Sequence, residues 1–318
     1  MPYFPLQHLA AAAPLDPAKA PHRMPPSVVV ILRGGLANQM FQYALGLAMA
    51  EQSGFRLEVD TSVVDADRKR DYALGMCNPA PRLVSGTDRL MMRFLRLTPF
   101  WNSCGTRWQP AIPGGARIVR ERGHTFDASV LALQGSMILD GYWQNERYFL
   151  DHRSLIERTF DWTHATKGVA SDAMMAMIES PRSVAVHVRR GDYVLETVTN
   201  AYHGTCEPDY YARASTIISE RVTQPHFFIF SDDFDWAEAN VPLPGERTVV
   251  RHASPVAPYV DMWLMSRCRH AIIANSSYSW WAAWLTERTG KCVVAPRAWF
   301  RDESMRGITP VPDRWQVT

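Results

Sequence analysis

Residues 183–194 read SVAVHVRRGDYV, a short run of β-branched and small apolar side chains that stops at two arginines, a glycine and an aspartate. Such a run predicts a strand buried on both faces, as in a parallel sheet. Whatever follows it sits at the strand's carboxyl edge, where open α/β sheets bind ligands. The pattern returns twice: HFFIF (226–230) runs into Ser231, Asp232 and Asp233, and HAIIA (270–274) runs into Asn275, Ser276 and Ser277. These strand ends send polar groups toward one crevice. Arg189 and Arg190 suit a dianion there, since each guanidinium offers a planar fork of donors matched to phosphate oxygens.

Downstream of 183 the alternation is regular. PDYYARASTIISER, a short segment after the SDD loop, PYVDMWLMSRC and SWWAAWLTE read as helices between the successive strands SVAVHV, HFFIF, RTVV, HAIIA and KCVVAP, which argues a parallel, doubly wound sheet. Upstream, VVVIL (28–32) is a buried strand followed by the turn RGGLA. NQMFQYALGLAMAEQS then places apolar residues at 40, 41, 44, 45, 47 and 48, a helix closed by Gly54, and FRLEVD (55–60) returns as a strand. This is a β-loop-α-β unit of nucleotide-fold type. SMILDGYWQ (136–144) is the last strand of the first half, and the helices YFLDHRSLIERTF and KGVASDAMMAMIES carry the chain across. Residues 61–135 predict helices and a lid-like insertion around the Pro-Gly-Gly of 113–115. The expected architecture is α/β, with two Rossmann-like doubly wound domains, 27–165 and 166–318, facing a central crevice.

Composition narrows the partners. With 34 basic and 32 acidic side chains the formal net charge is +2, so no global field points to nucleic acid, and anion recognition must be local. The 47% hydrophobic content supports a sizeable core. Five cysteines, odd in number and never spaced as CxxC, favour a reduced protein without a structural metal. Residues 1–26, rich in Ala and Pro, read as a flexible extension with neither a signal-peptide pattern nor an integral membrane span. These features point to a cytoplasmic location, or a peripheral one at the inner membrane.

In GGLANQMFQYALG, Gly34 and Gly35 turn the chain into a helix whose first exposed side chains, Asn38 and Gln39, are expected to present amides where backbone N–H groups converge. Taken together, GGLANQMFQYALG, HVRRGDY, FSDD and LMSRCRHAIIANSSYSWWAAWL resemble the α-1,2-fucosyltransferases of glycosyltransferase family 11, over about residues 28–300. The HxRR-x-D element is shared more widely with α-1,6- and protein O-fucosyltransferases. The resemblance implies a GT-B fold, GDP-β-L-fucose as donor, inversion at the anomeric carbon, and neither metal nor cofactor. The implied partners are thus GDP-fucose and a β-galactoside-containing glycan, free or lipid-linked, fucosylated on the 2-hydroxyl.

The same resemblance implies the roles. His187, Arg189, Arg190 and Asp192 match the signature, Arg189 as ligand of the donor pyrophosphate. Arg190 could equally form a structural salt bridge, and His187 could be a core histidine bracing the loop. Asp261 lies sixteen residues before Ser277, the spacing of a guanine-binding acid and a phosphate-binding serine in the α-1,6 relatives. A carboxylate there accepts from guanine N1 and N2 together; a helix-surface acid is the alternative. Asn275, Ser276 and Ser277 open a helix where hydroxyls and free amides suit phosphate, or where Ser276 simply caps. Asp232, Asp233 and Asp235 superficially suggest a metal site, but helix capping and a ribose or base contact fit better. Asp192 is the first candidate for the base and Glu196 the second, with Asn38 orienting the acceptor. Trp280, Trp281 and Trp284 are expected in the core. Ala37 stands where the family usually has glycine, which touches only the turn's backbone angle. Alternatives are a fucosyltransferase of other linkage or acceptor, and a non-catalytic GDP-sugar-binding protein.

Overall fold

The computed structural model describes residues 26–105 and 115–318. Its strands are β1 (Ser27–Ile31), β2 (Arg56–Asp60), β3 (Arg117–Arg120), β4 (Met137–Asp140), β5 (Ser183–Val188), β6 (His226–Ser231), β7 (Glu246–Val249), β8 (His270–Ile272), β9 (Val293–Ala295) and β10 (Gln316–Val317). They form two sheets, ordered β2-β1-β4-β3 and β10-β9-β8-β5-β6-β7, and every pairing in both is parallel. The α/β, doubly wound expectation holds. Winding reverses between β1 and β4 in the first sheet and between β5 and β8 in the second. At such a reversal the connections leave in opposite directions and open a crevice at the strands' carboxyl ends.

The strands are apolar because both faces are covered. In β1, Val28 and Val30 enter one cluster while Val29 and Ile31 enter another across the sheet. In β5, Val184, Val186 and Val188 point to one side and Ala185 to the other. Helix Leu36–Ser53 follows β1 and ends at Gly54, whose φ of 69° is the left-handed C-cap that glycine adopts without a Cβ penalty.

The two halves are joined by a shared aromatic core. Phe41 of helix Leu36–Ser53 packs on Trp280 and Trp281 of helix Ser277–Trp284, with ring centroids 4.6 and 4.9 Å apart. Phe149 stacks on Trp281 at 5.4 Å. All three tryptophans are fully buried, as expected, and their N–H groups find acceptors: Trp280 donates to Pro310 O, Trp281 to Ala37 O, and Trp284 to Glu146 Oε2. Buried Glu146 also holds Arg314.

The stretch 61–135 contributes helices, Gly86–Arg96 and Pro99–Ser103, but also the edge strand β3. RIVR was missed because an edge strand of this length flanked by arginines carries little periodic signal. Between β5 and the helix at PDYYARASTIISER the chain forms two short helices, Gly191–Leu195 and Thr197–His203. The N-terminal extension, save Pro26, and Pro113 and Gly114 of the insertion lie outside the described residues. Among those described, no helix is long and apolar enough to cross a membrane.

Candidate active site

A cavity of about 1190 Å³ lies where the two winding reversals face one another. Gly34, Gly35, Asn38, His187, Arg189, Asp192, Asp232, Asp261, Asn275, Ser276 and Ser277 line it, as does Glu196; Arg190 and Gln39 do not.

Arg189 leaves the end of β5 with about a quarter of its side chain exposed, and both terminal nitrogens of its fork meet carboxylates. Nη2 donates to Asp192 Oδ1 at 2.6 Å and Nη1 pairs with Asp232 Oδ2 at 2.7 Å. Asp232 also accepts the backbone N–H of Arg190 at 2.8 Å. Gly191 permits this arrangement, since a Cβ there would meet Asp232 Oδ2 at 2.7 Å. Arg190 turns the other way: its guanidinium lies 3.6 Å over the ring of Trp236 and reaches Asp233 at 3.4 Å. Asp233 caps helix Phe234–Asn240 through Trp236 N–H, and Asp235 pairs with Arg251. Among the described residues no group of three His, Cys, Asp or Glu is placed to hold a metal.

His187 lies within β5 and is buried, with Nδ1 unpartnered among the described residues. Burial first, and then the Arg189 charge, hold its pKa down to about 3, so the ring is neutral. Asn275 is spent on structure: its amide donates to the carbonyls of His203 and Gly204 and to Trp299 O, tying three segments under the cavity floor. Ser276 caps helix Ser277–Trp284 by accepting from Tyr278 N–H at 3.3 Å. The helix N-terminus nevertheless points its free amides at the cavity that Arg189 enters. Asp261, on helix Pro258–Arg267, lines the wall rather than the outer surface, with Oδ1 bound by His252 Nε2 at 2.6 Å.

On the first half, Gly34 has φ 71° and a Cβ on it would meet Asn38 Nδ2 at 2.5 Å, so the turn needs glycine. Asn38 Oδ1 accepts from Gln144 Nε2 at 2.8 Å and from Ser277 Oγ at 3.2 Å, bridging the two halves. Gln39 corrects the expectation of an exposed amide. It is fully buried, donates to Gly34 O and Asp71 O, and accepts from Ala73 N–H, so it clamps the 71–73 loop to the turn. Ala37 already belongs to the helix, where alanine carries no backbone penalty.

Several wall residues had no signal in the sequence. Lys69 and Arg70 reach across the crevice to Glu196 (2.7 Å) and Asp192 (2.8 Å). The carboxyl pKa of Glu196 is lowered by its hydrogen bonds from Lys69 and Thr199. Asp192 thus stands between Arg70 on one oxygen and Arg189 on the other. One end of the cavity is aromatic: His124, Tyr142, Tyr202, His203 and Phe300 line it, with Tyr202 and Phe300 rings 5.2 Å apart. Burial lowers the pKa of both His124 and His203, and among the described residues Nδ1 of each lacks a partner. This arrangement can hold a dianion at a guanidinium already oriented by two carboxylates and at a helix N-terminus, beside a wall suited to a sugar face.

A parallel, doubly wound α/β protein with a guanidinium and a helix N-terminus at its switch-point cavity has the architecture shared by many nucleotide-binding enzymes. The family model for glycosyl transferase family 11 matches residues 118–310, and the chain belongs to that family. It is 31% identical to an α-1,2-colitosyltransferase of Escherichia coli, over 91% of this chain and 97% of that one. It is also 31% identical to human galactoside α-(1,2)-fucosyltransferase 1, over 34% of this chain and 30% of the human protein. Among solved structures, an α-1,6-fucosyltransferase, NodZ, soaked with GDP-fucose is similar, with a TM-score of 0.43, 15% identity, and coverage of 82% of this chain and 92% of that one.

Proposed function

We propose that the protein is an inverting, metal-independent α-1,2-fucosyltransferase that moves L-fucose from GDP-β-L-fucose to the 2-hydroxyl of a terminal β-galactoside. The observation that carries this reading is the Arg189 fork, held in the open cavity at the β5/β8 switch point and facing the Gly34–Asn38 turn across it. In this reading the donor diphosphate takes over Arg189 from Asp192, with the helix amides at Ser276 and Ser277 sharing the charge. Asp261 accepts from the guanine edge. The acceptor oxygen attacks C1 from the face opposite the diphosphate, the C1–O bond to phosphate breaks, and GDP leaves with its new charge on Arg189. Asp192, released from Arg189, receives the hydroxyl proton. The acceptor sugar rests against the Tyr202 and Phe300 wall, and Asn38 orients it.

The 31% identity to a colitosyltransferase over nearly the whole chain favours a second donor, the GDP-sugar of colitose, which is fucose lacking its 3-hydroxyl. A site built to hydrogen-bond that hydroxyl would discriminate strongly between the two. The test is a mass-spectrometric assay of both donors with a panel of β-galactosides, followed by linkage analysis. An α-1,2-fucosylated product establishes the reading. Tight GDP binding with no product on any acceptor would move the protein to the non-catalytic sugar-nucleotide binders.

A further inference from the structure

Helix Gly86–Arg96 covers the outer face of the first sheet, but its apolar residues do not all point inward. Met92 is buried against Ile118 and Trp101 of the sheet's outer cluster, whereas Leu90, Phe94 and Leu97 are 69, 71 and 81% exposed. At 3.6 residues per turn those positions, i, i+4 and i+7, fall on one stripe, with Met91 beside it at 37% exposure. Isolated exposed leucines are ordinary; a contiguous stripe of this size on one helix is not. One flank of the stripe is basic. Arg89, Arg93 and Arg96 follow it along the helix, and Arg82 precedes it, while Asp88 is the only acidic residue between 82 and 103. Arg82 is paired with Glu58, Arg89 with Asp65, and Arg96 is drawn inward to Ser62 and Asp60. Arg93 is exposed and has no acidic partner among the described residues. Apolar stripe, arginine flank and solvent exposure are together the signature of a helix lying in a membrane interface.

We propose that this helix docks the protein on an anionic lipid bilayer, with Leu90, Phe94 and Leu97 entering the acyl boundary and Arg93 meeting headgroup phosphates. The exposed charge of Arg93, beside the stripe, selects an anionic surface over a neutral one. The anchoring has a consequence for the site, because Arg89 and Arg96 tie the helix to Asp65 and Ser62 of the same loop that carries Lys69 and Arg70 to the crevice. The docking face and the crevice rim are therefore mechanically continuous, which suits an acceptor glycan held on a lipid. The docking itself does not depend on the transfer reading, since it is measured without turnover.

The test is flotation of the full chain with vesicles of phosphatidylglycerol and phosphatidylethanolamine, against vesicles of phosphatidylcholine. Binding is expected to the first only and to weaken with salt. Leu90→Ser/Phe94→Ser/Leu97→Ser should lower the partition coefficient by roughly a hundredfold or more. Arg93→Ala, which touches no core residue, should lower it about fivefold. Thermal melting of each variant confirms the fold. Absence of flotation on anionic vesicles, equal flotation on neutral ones, or flotation unchanged in both variants overturns the proposal. So does a lipid-free dimer that the triple substitution turns into monomer, because a second copy would then cover the stripe.

Discussion

Replacing Arg189 by lysine separates charge from geometry at the centre of the site. The two terminal nitrogens of Arg189 contact different carboxylates, Asp192 at 2.6 Å and Asp232 at 2.7 Å. A single ammonium on a shorter stem cannot span both, so one pair is lost. All three side chains are about a quarter exposed, and Asp192 keeps Arg70, so the stability cost should be about 1 kcal/mol or less. For a chain of this size that is about 2 °C or less in Tm. Donor affinity should fall by roughly tenfold, the loss of one charge-assisted hydrogen bond. Turnover should fall by about 10²–10³, because the planar fork that follows charge onto the departing oxygens is absent when that charge develops. The assay pairs calorimetric titration of GDP with initial rates on GDP-fucose and the best β-galactoside. The inequality is the content: kcat must drop by more than the affinity does. A folded variant with near-wild-type turnover would falsify the assignment, and equal losses in the two quantities would reduce Arg189 to a ground-state binding group.

Asp261→Asn should weaken GDP binding about 5- to 160-fold, the roughly 1–3 kcal/mol of a mismatched donor, and relax discrimination against other bases; unchanged affinity for GDP would remove Asp261 from the nucleotide. Glu146→Gln keeps an acceptor for Trp284 but breaks the pairing with Arg314, so the denaturation midpoint should drop by the equivalent of about 1–3 kcal/mol while the activity per folded molecule holds. Exhaustive EDTA treatment should leave turnover intact, and obligatory Mg²⁺ or Mn²⁺ would force Asp232 and Asp233 to be reconsidered as ligands. His187 has a folded pKa of about 3, below its unfolded value near 6.5, so the unfolded state takes up a proton first as pH falls. The His187 contribution to stability should be full above pH 6.5 and decline from there toward pH 3, and His187→Gln should make that acid limb shallower in urea titrations at stepped pH; an identical slope would mean that the ring titrates in the folded protein.

The fold was legible where its signals are local. A parallel strand buried on both faces must be a β-branched run and must end in groups that tolerate the sheet edge, so β5, β6 and β8 announce themselves together with their terminal residues. What joins the halves is not local. Lys69 and Arg70 sit in an aperiodic stretch, and nothing in RKRD (68–71) names Glu196 and Asp192 as partners more than a hundred positions away. Nor does an apolar helix face say whether it meets its own sheet or, as with Phe41 and Trp281, the other half of the molecule.

The choice between Arg189 and Arg190 is different, because the sequence held the answer in its period. Side chains alternate along a strand, so Arg189 continues the face of His187 and Ala185, while Arg190 continues that of Val184, Val186 and Val188. The first face leads into the cavity; the second leads to the cluster in which Trp236 packs, and Arg190 lies on that ring. Adjacent arginines at a strand end therefore cannot both serve one crevice while the pleat persists. Here the second anchors the Asp232–Asp233 loop, its backbone N–H on Asp232 and its side chain on Asp233, and so fixes the carboxylate that orients the first. On that logic Arg190→Lys should impair the site only through Asp232, raising the donor dissociation constant and lowering Tm together, in contrast to the turnover-dominated loss expected of Arg189→Lys.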